Sequence, residues 1–289
     1  YAAVEINEGS GLSVSVRKGG VETIEQNKDK GMGVTVYLGE ERHVRRGNAS
    51  TSDFSQQALK DTVEAAYNIA RFTAEDDCAG LPDEDMLERN PRDLQLCYPW
   101  LISTEEAVEL AKRGEAAAFA VDKRITNSEG ASVYAQQSHF VSANSRGFIG
   151  GYPYSRHTIS VAPIAGKGSN MQRDDWYETA RDPADLPAPE SIGCKAAERA
   201  VARLKARQVP TAQVPVLFES GVASSLMGHF VSAVSGGSLY RKSSFLLDSL
   251  GKEIFSPCVQ ISDLPHIPKA LASGAFDEEG VATRARDIV

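Results

Sequence analysis

Leu12, Val14 and Val16 occupy every second position, with Ser13, Ser15 and Arg17 between them. A period of two places these apolar side chains on one face of a strand and the polar ones on the other. The same pattern reads as successive strands in VEI (Val4 to Ile6), LSVSVR (Leu12 to Arg17), VETIEQ (Val21 to Gln26), MGVTVYL (Met32 to Leu38) and a piece near His43 to Ser50. Turns are expected at Lys18-Gly19-Gly20 and at Asp29-Lys30-Gly31. An antiparallel sheet is the simplest arrangement. The period then changes: Ala58, Val63, Ala66, Tyr67 and Ala70 lie on overlapping turns, which predicts a helix capped by Asp53 or Ser55, running to about Phe72 and covering the sheet.

Residues 73–100 are acidic and broken by proline, and read as an inter-domain connection. Its carboxylates Glu75, Asp76, Asp77, Asp83, Glu84 and Asp85 lack the alternating spacing and terminal Glu of a calcium loop, so they read as solvated. Ser103 and Glu106 form a capping-box pair that opens an alanine-rich helix to about Asp122. Strands follow from Arg124 to Ile164, with turns at Asn127-Ser128-Glu129-Gly130 and Asn144-Ser145-Arg146-Gly147. His139 and His157 lie within these strands and are assigned structural roles. Another strand is expected over Met171 to Ala180. A helix over Glu190 to Ala206 carries Lys195, Arg199 and Arg203 four apart, a stripe read as a solvated face with Glu198 nearby.

Val214 to Phe218 reads as a strand that enters a helix over Gly221 to Ser235, stopped by Gly236 and Gly237. Val222, Leu226, Phe230 and Val234 recur every fourth residue, so this face is expected in the core, with Leu226 and Phe230 almost inaccessible. The following GGSLYRKS is no phosphate loop, because Arg241 stands where the second glycine must be and the segment follows a helix. The whole is an α+β chain of several antiparallel sheets with covering helices. Its divisions are expected at 1–97, 98–209 and 210–289, the last being the start of a carboxyl-terminal domain most of which is absent.

Composition narrows the function. Among 289 residues, 42% are hydrophobic and 24% charged, as in soluble globular proteins, and the net charge is -8. That balance argues against direct contact with nucleic acid, which needs clustered positive charge; the one basic run, Arg42, His43, Arg45 and Arg46, reads as a solvated edge or loop. Cys78, Cys97, Cys194 and Cys258 are widely spaced and form no metal-binding pair, so reduced thiols in the cytoplasm are expected. No apolar run is long enough to span a membrane.

The stretch VPVLFESGVASSLMGHFVSAVSGGSLYRKSSFLLDSLGK, with R-x-G followed by V-E, G-x-G-V-T-V-Y, N-S-E-G, N-S-x-G-F and Y-x-x-S-R-H, resembles the TldD/PmbA family, and its PmbA (TldE) branch in particular. The resemblance implies one subunit of a two-protein metalloprotease that cleaves unfolded proteins and the leader segments of peptide antibiotics such as microcins. In the TldD branch the helix carries H-E-x-x-x-H, two imidazoles for a metal and a carboxylate as general base. Gly228, His229 and Ala233 fall at those three positions, so the resemblance implies a chain without catalytic residues or metal of its own. Zinc is expected on a TldD-type partner in a heterodimer, with self-association of this chain when alone and an extended peptide added to a sheet edge. Tyr240, Arg241 and Lys242 are the expected contacts to substrate or partner. Two other classes remain open: a regulatory protein-binding module, matching the family's description as a modulator of DNA gyrase, and a self-sufficient hydrolase, for which no G-x-S-x-G elbow or Cys and His pair is present.

Overall fold

Lys18 and Gly19 take left-handed backbone conformations, φ 52° and 74°, and fold the first two strands into an antiparallel hairpin. The structure, a computed structural model, describes residues 1–40 and 43–289. Arg42 of the basic run therefore lies outside the described residues, while His43, Arg45 and Arg46 are exposed. Two units are formed, Tyr1–Ala206 with Leu264–Ala285, and Arg207–Asp263 with Arg286–Val289.

The first unit is built on β1 (Ala2–Arg17), β2 (Gly20–Leu38), β3 (Arg45–Thr51), β4 (Ile125–Asn144), β5 (Ile149–Ala165), β6 (Gln172–Arg173) and β7 (Trp176–Ala180). They form one seven-stranded antiparallel sheet in the order β3-β2-β1-β4-β5-β6, with β7 also on β5. The expected turn at Asp29-Lys30-Gly31 is not one: Asp29 pairs with Gly9 and Gly31 with Asn7, and β2 runs unbroken for 19 residues. Its polar middle stays in the ladder because both faces there meet water, where charged side chains cost little; Lys28 and Glu8 even pair across the strands at 3.5 Å. Asn127-Ser128-Glu129-Gly130 is likewise no turn. The register slips at Ile125/Asn127 and Ser128/Gly130, so the positive φ of Gly130, 124°, serves irregularities inside β4. Asn144 to Gly147 does turn, joining β4 to β5.

Ser55 caps α1 (Gln56–Phe72) by accepting from the Ala58 N–H at 3.3 Å. The helix buries Thr62 together with Ala66 and Ala70 of the expected face, and leaves Val63 and Tyr67 of that face about half exposed, at 47% and 46%. The cause is proximity: a Cβ on Gly47 of β3 would overlap the backbone of Ala66 and Ala70, so only small residues fit where the helix rests. The capping box opens α2 (Thr104–Val121), with the Ser103 hydroxyl accepting from Glu106 N and the Glu106 carboxylate from Ser103 N. Beside it lies α3 (Pro189–Ala202), so close that Gly193 leaves no room for a Cβ against Gly114. These two helices cover Leu12, Val14, Val16, Val133, Ile159 and Val161, the main core.

The basic stripe on α3 has partners other than the expected Glu198. Arg199 and Arg203 reach the Asp174 carboxylate, each at 3.5 Å, and the Lys195 ammonium sits 3.5 Å from the centre of the Trp176 ring. A second core joins Leu87, Leu94 and Leu96 to Phe148 and Phe276, so part of the acidic connection is packed apolar chain. Arg181 ties the returning segment 264–285 in place, donating to the Ala270 and Leu271 carbonyls at 3.0 and 2.9 Å and to Ser155 O at 3.2 Å.

The second unit contains α4 (Ser220–Val234), the short α5 (Gly236–Tyr240), and β8 (Ser262–Asp263) paired antiparallel with β9 (Arg286–Asp287). Val214 to Phe218 is not a strand. It is open chain with no ladder partner among the described residues, and Leu217 is fully exposed. No helix among the described residues is long and apolar enough to cross a membrane.

Candidate functional site

The Glu219 carboxylate accepts from Gly221 N at 3.1 Å and starts α4, and the backbone turns extended at Ser235 to end it. Gly236 and Gly237 then begin α5 instead of ending helical structure. On α4 the predicted apolar face is only partly covered. Phe230 is 6% exposed, its ring edge-on to Phe255 at 5.1 Å, and Ala233 is buried below it. Val222 and Leu226, expected in the core, are 54% and 41% exposed. The rest of the second unit is mostly loop, and what it offers this helix, Phe255 and the Ser244 hydroxyl on Ala233 O at 2.6 Å, lies at its carboxyl-terminal end.

The three positions of the degenerate motif are distributed accordingly. Gly228 and His229 face solvent, with open space where a Gly228 side chain would stand, while Ala233 is buried. Glycine and alanine carry no donor atom, which leaves the His229 imidazole as one ligand where a catalytic zinc site takes three protein ligands. The residues present do not fit such an ion. Among the described residues the sole trio of metal-ligating side chains within reach of one another is Asp76, Asp77 and Cys78, all exposed, and Asp76 already accepts from Cys78 N.

Tyr240 ends α5, Arg241 and Lys242 follow directly on it, and all three are exposed. Lys242 has a positive φ of 54°, which reverses the chain after the helix, and the Arg241 guanidinium lies over Gly237. The structure thus gathers all six singled-out positions on α4, α5 and the turn after them. His139 is exposed on β4. His157 is buried in β5, where one ring nitrogen meets the Tyr98 carbonyl at 2.8 Å and burial pulls the imidazole down from its ordinary range.

One feature of the first unit was not visible in the sequence: a polar cavity against β1, β2 and β3 that brings together Glu5, Tyr37, Arg46, Glu278 and Glu279. The alternation of Gly33, Thr35 and Tyr37 against Met32, Val34 and Val36 was its one available signal, since it puts the first three on the face away from α1.

Three family models match the chain, described as PmbA/TldA metallopeptidase domain 1 over residues 2–70, central domain over 97–204 and C-terminal domain over 211–289. The chain is 46% identical over 288 residues to the metalloprotease PmbA of Escherichia coli O157:H7 and 42% identical to a PmbA homolog of Haemophilus influenzae. All of the chain aligns in both cases, yet it spans 63% of the length of each relative. Among solved structures it is similar to a protein of Bacteroides thetaiotaomicron described as a candidate modulator of DNA gyrase, with TM-score 0.91 and 27% identity, covering 100% of this chain and 65% of that one. It also shares its fold with TldE of Thermococcus kodakarensis, with TM-score 0.75 and 20% identity, covering 100% and 64%.

Proposed function

This chain belongs to the PmbA/TldA metallopeptidase family, and from that premise we propose that it is the subunit of a two-protein peptidase that carries no metal of its own. The observation that carries the reading is the donor content of α4: Gly228, His229 and Ala233 supply one imidazole between them. A partner of the TldD type, with two imidazoles and a carboxylate on its equivalent helix, would hold the zinc and activate water there. This chain would then contribute chamber walls and sheet edges for an extended peptide, with Tyr240, Arg241 and Lys242 at the contact. Substrates on this reading are unfolded proteins and peptide-antibiotic leader segments, and the four unpaired cysteines favour the cytoplasm.

The test is reconstitution. The 289-residue chain is purified alone and together with a TldD-type protein, bound zinc is measured by elemental analysis, and an unstructured peptide is offered to each. Zinc with the partner and cleavage in the mixture alone support the proposal. Stoichiometric zinc on the lone chain, with cleavage abolished by His229→Ala, overturns it.

A further inference from the structure

Residues 96–102 lead from the acidic connection into α2 and lie as a strap along β5. Ser155 and His157, two positions apart on that strand, hold it down. Ser155 N–H donates to the Leu96 carbonyl at 3.0 Å, and the Ser155 hydroxyl accepts from Tyr98 N–H at 2.8 Å. The Nε2 of His157 meets the Tyr98 carbonyl at 2.8 Å, and the Trp100 ring stands edge-on to the imidazole at 5.4 Å. Trp100, Leu101 and Ile102 then form one wall of a cavity of about 500 Å³, which the strands line with Ser10, Gln26 and Gln137.

The other ring nitrogen is the unusual one. His157 is 1% exposed, and its Nδ1 has neither solvent nor a hydrogen-bond partner among the described residues. A carbonyl only accepts, so Nε2 carries the ring proton and Nδ1 is bare. A second proton has to go on Nδ1, where it leaves a charged N–H buried without an acceptor. The charges on the surrounding elements are committed elsewhere. Asp182, the carboxylate whose field favours a charged ring, is held by Lys269 at 2.7 Å, and Lys269 also lies over the Tyr98 ring. Arg181 donates to the Ser155 carbonyl. Glu178 on β7 accepts from the Trp176 indole, Glu106 at the start of α2 from Ser103 N–H, and Glu190 on α3 pairs with Arg113. Lys28, on the cavity side, adds a further positive charge.

We propose that His157 is an acid-sensitive latch: with a neutral ring it holds the strap on β5, and on protonation it turns out to water and lets residues 96–102 lift from the cavity. The direction follows from linkage. Burial holds the imidazole below its ordinary 6.5, so the closed strap has its full stability above that pH and loses it progressively below. The neighbours of His157 on the same face of β4 and β1, Ala135 and Leu12, carry no titratable group, so the change is confined to the strap. The latch is independent of the peptidase reading.

Hydrogen exchange on the 289-residue chain between about pH 7.5 and about pH 5.5 tests it, read as protection factors so that the intrinsic pH dependence cancels. Protection of the Tyr98 and Ser155 amides should fall about three- to tenfold, while that of Val14 and Val133 in the middle of the sheet stays level. Nitrogen NMR signals of the His157 ring should show Nε2–H at the higher pH and the imidazolium as the strap opens. His157→Gln keeps an N–H donor near the Nε2 position and cannot titrate, so its strap protection should not change with pH. Should that variant fail to fold, the ring signals and amides of the unaltered chain carry the test. A ring that gains its proton with Tyr98 still protected overturns the proposal, as does level protection throughout in the unaltered chain. So does a fall shared by Val14 and Val133, or an equal fall in His157→Gln.

Discussion

The Glu115 carboxylate on α2 accepts from the backbone N–H of Lys18 and of Gly19, each at 2.8 Å, and so locks a helix to the tip of the β1–β2 hairpin. Glu115 is 2% exposed, and both amides belong to a two-residue turn whose N–H groups point out of the ladder. Glu115→Ala strands two donors and should cost about 2 to 3 kcal/mol, while Glu115→Gln, which keeps one acceptor, should cost less. Urea denaturation of the three proteins measures both, and equal midpoints for wild type and Glu115→Ala would refute the role.

Gly47 sets how deeply α1 sits on the sheet. A side chain there overlaps the backbone at Ala66 and Ala70, which cannot swing aside as the end of a flexible side chain can. Gly47→Val should therefore destabilise by at least about 1 to 3 kcal/mol, as overpacked cores do, and expose α1 to faster amide exchange. A thermal midpoint like that of wild type would show that the helix shifts freely.

Replacing Phe230 and Leu226 separates two residues that share a helical face but not an environment. Phe230→Ala removes a buried ring in contact with Phe255 and should cost about 3 kcal/mol within the second unit. Leu226→Ala changes an exposed side chain and should stay within about 0.5 kcal/mol. Hydrogen exchange of the α4 amides reads both, and similar losses would mean that Leu226 is covered.

Asp122 ends α2 and receives the Arg124 guanidinium, then the Arg124 backbone N–H, which together hold its carboxyl down at about 2 against an ordinary 3.8. A carboxyl depressed in the folded state stabilises it fully above 3.8, and that contribution is lost as pH falls through about 2. NMR titration of Asp122 should show the low midpoint, and Arg124→Gln should return it toward the ordinary value. A midpoint already ordinary in the unaltered chain would contradict the pairing.

Features set by neighbours in the chain were legible in the sequence, and features set by distant ones were not. The Ser103 and Glu106 box and the Ser55 cap involve residues three apart, so they read correctly. Asp29 to Gly31 and Asn127 to Gly130 have turn chemistry, but partner strands hold them extended, which local sequence does not report. Glu115 lies 97 positions from Lys18, and nothing near it marks it as a clamp. At α4 the period of the helix was right, and the coverage of its face was not, because a stripe states which residues share a side and is silent on what packs there. The cavity around Tyr37 gathers residues from β1, β2, β3 and the segment near Glu278, a constellation defined only by the sheet order.

Restoring the missing donors on α4 should not by itself create a zinc site. Gly228 faces open space, whereas Ala233 is buried at the end of the helix that Phe255 and Ser244 cover. Five residues at 3.6 per turn separate two side chains by about 140° around the axis, so imidazoles at 228 and 233 converge only if the helix is distorted between them. The α4 of this chain is continuous from Ser220 to Val234 and shows no such break. An imidazole at 233 would also be larger than the space its methyl fills, at a cost of about 1 to 3 kcal/mol. The variant combining Gly228→His, His229→Glu and Ala233→His is therefore expected to hold well under one zinc per chain after dialysis, by elemental analysis, and to leave an unstructured peptide intact. One tightly held zinc per chain would show instead that this helix bends readily, and that the lost donors alone separate it from a catalytic one.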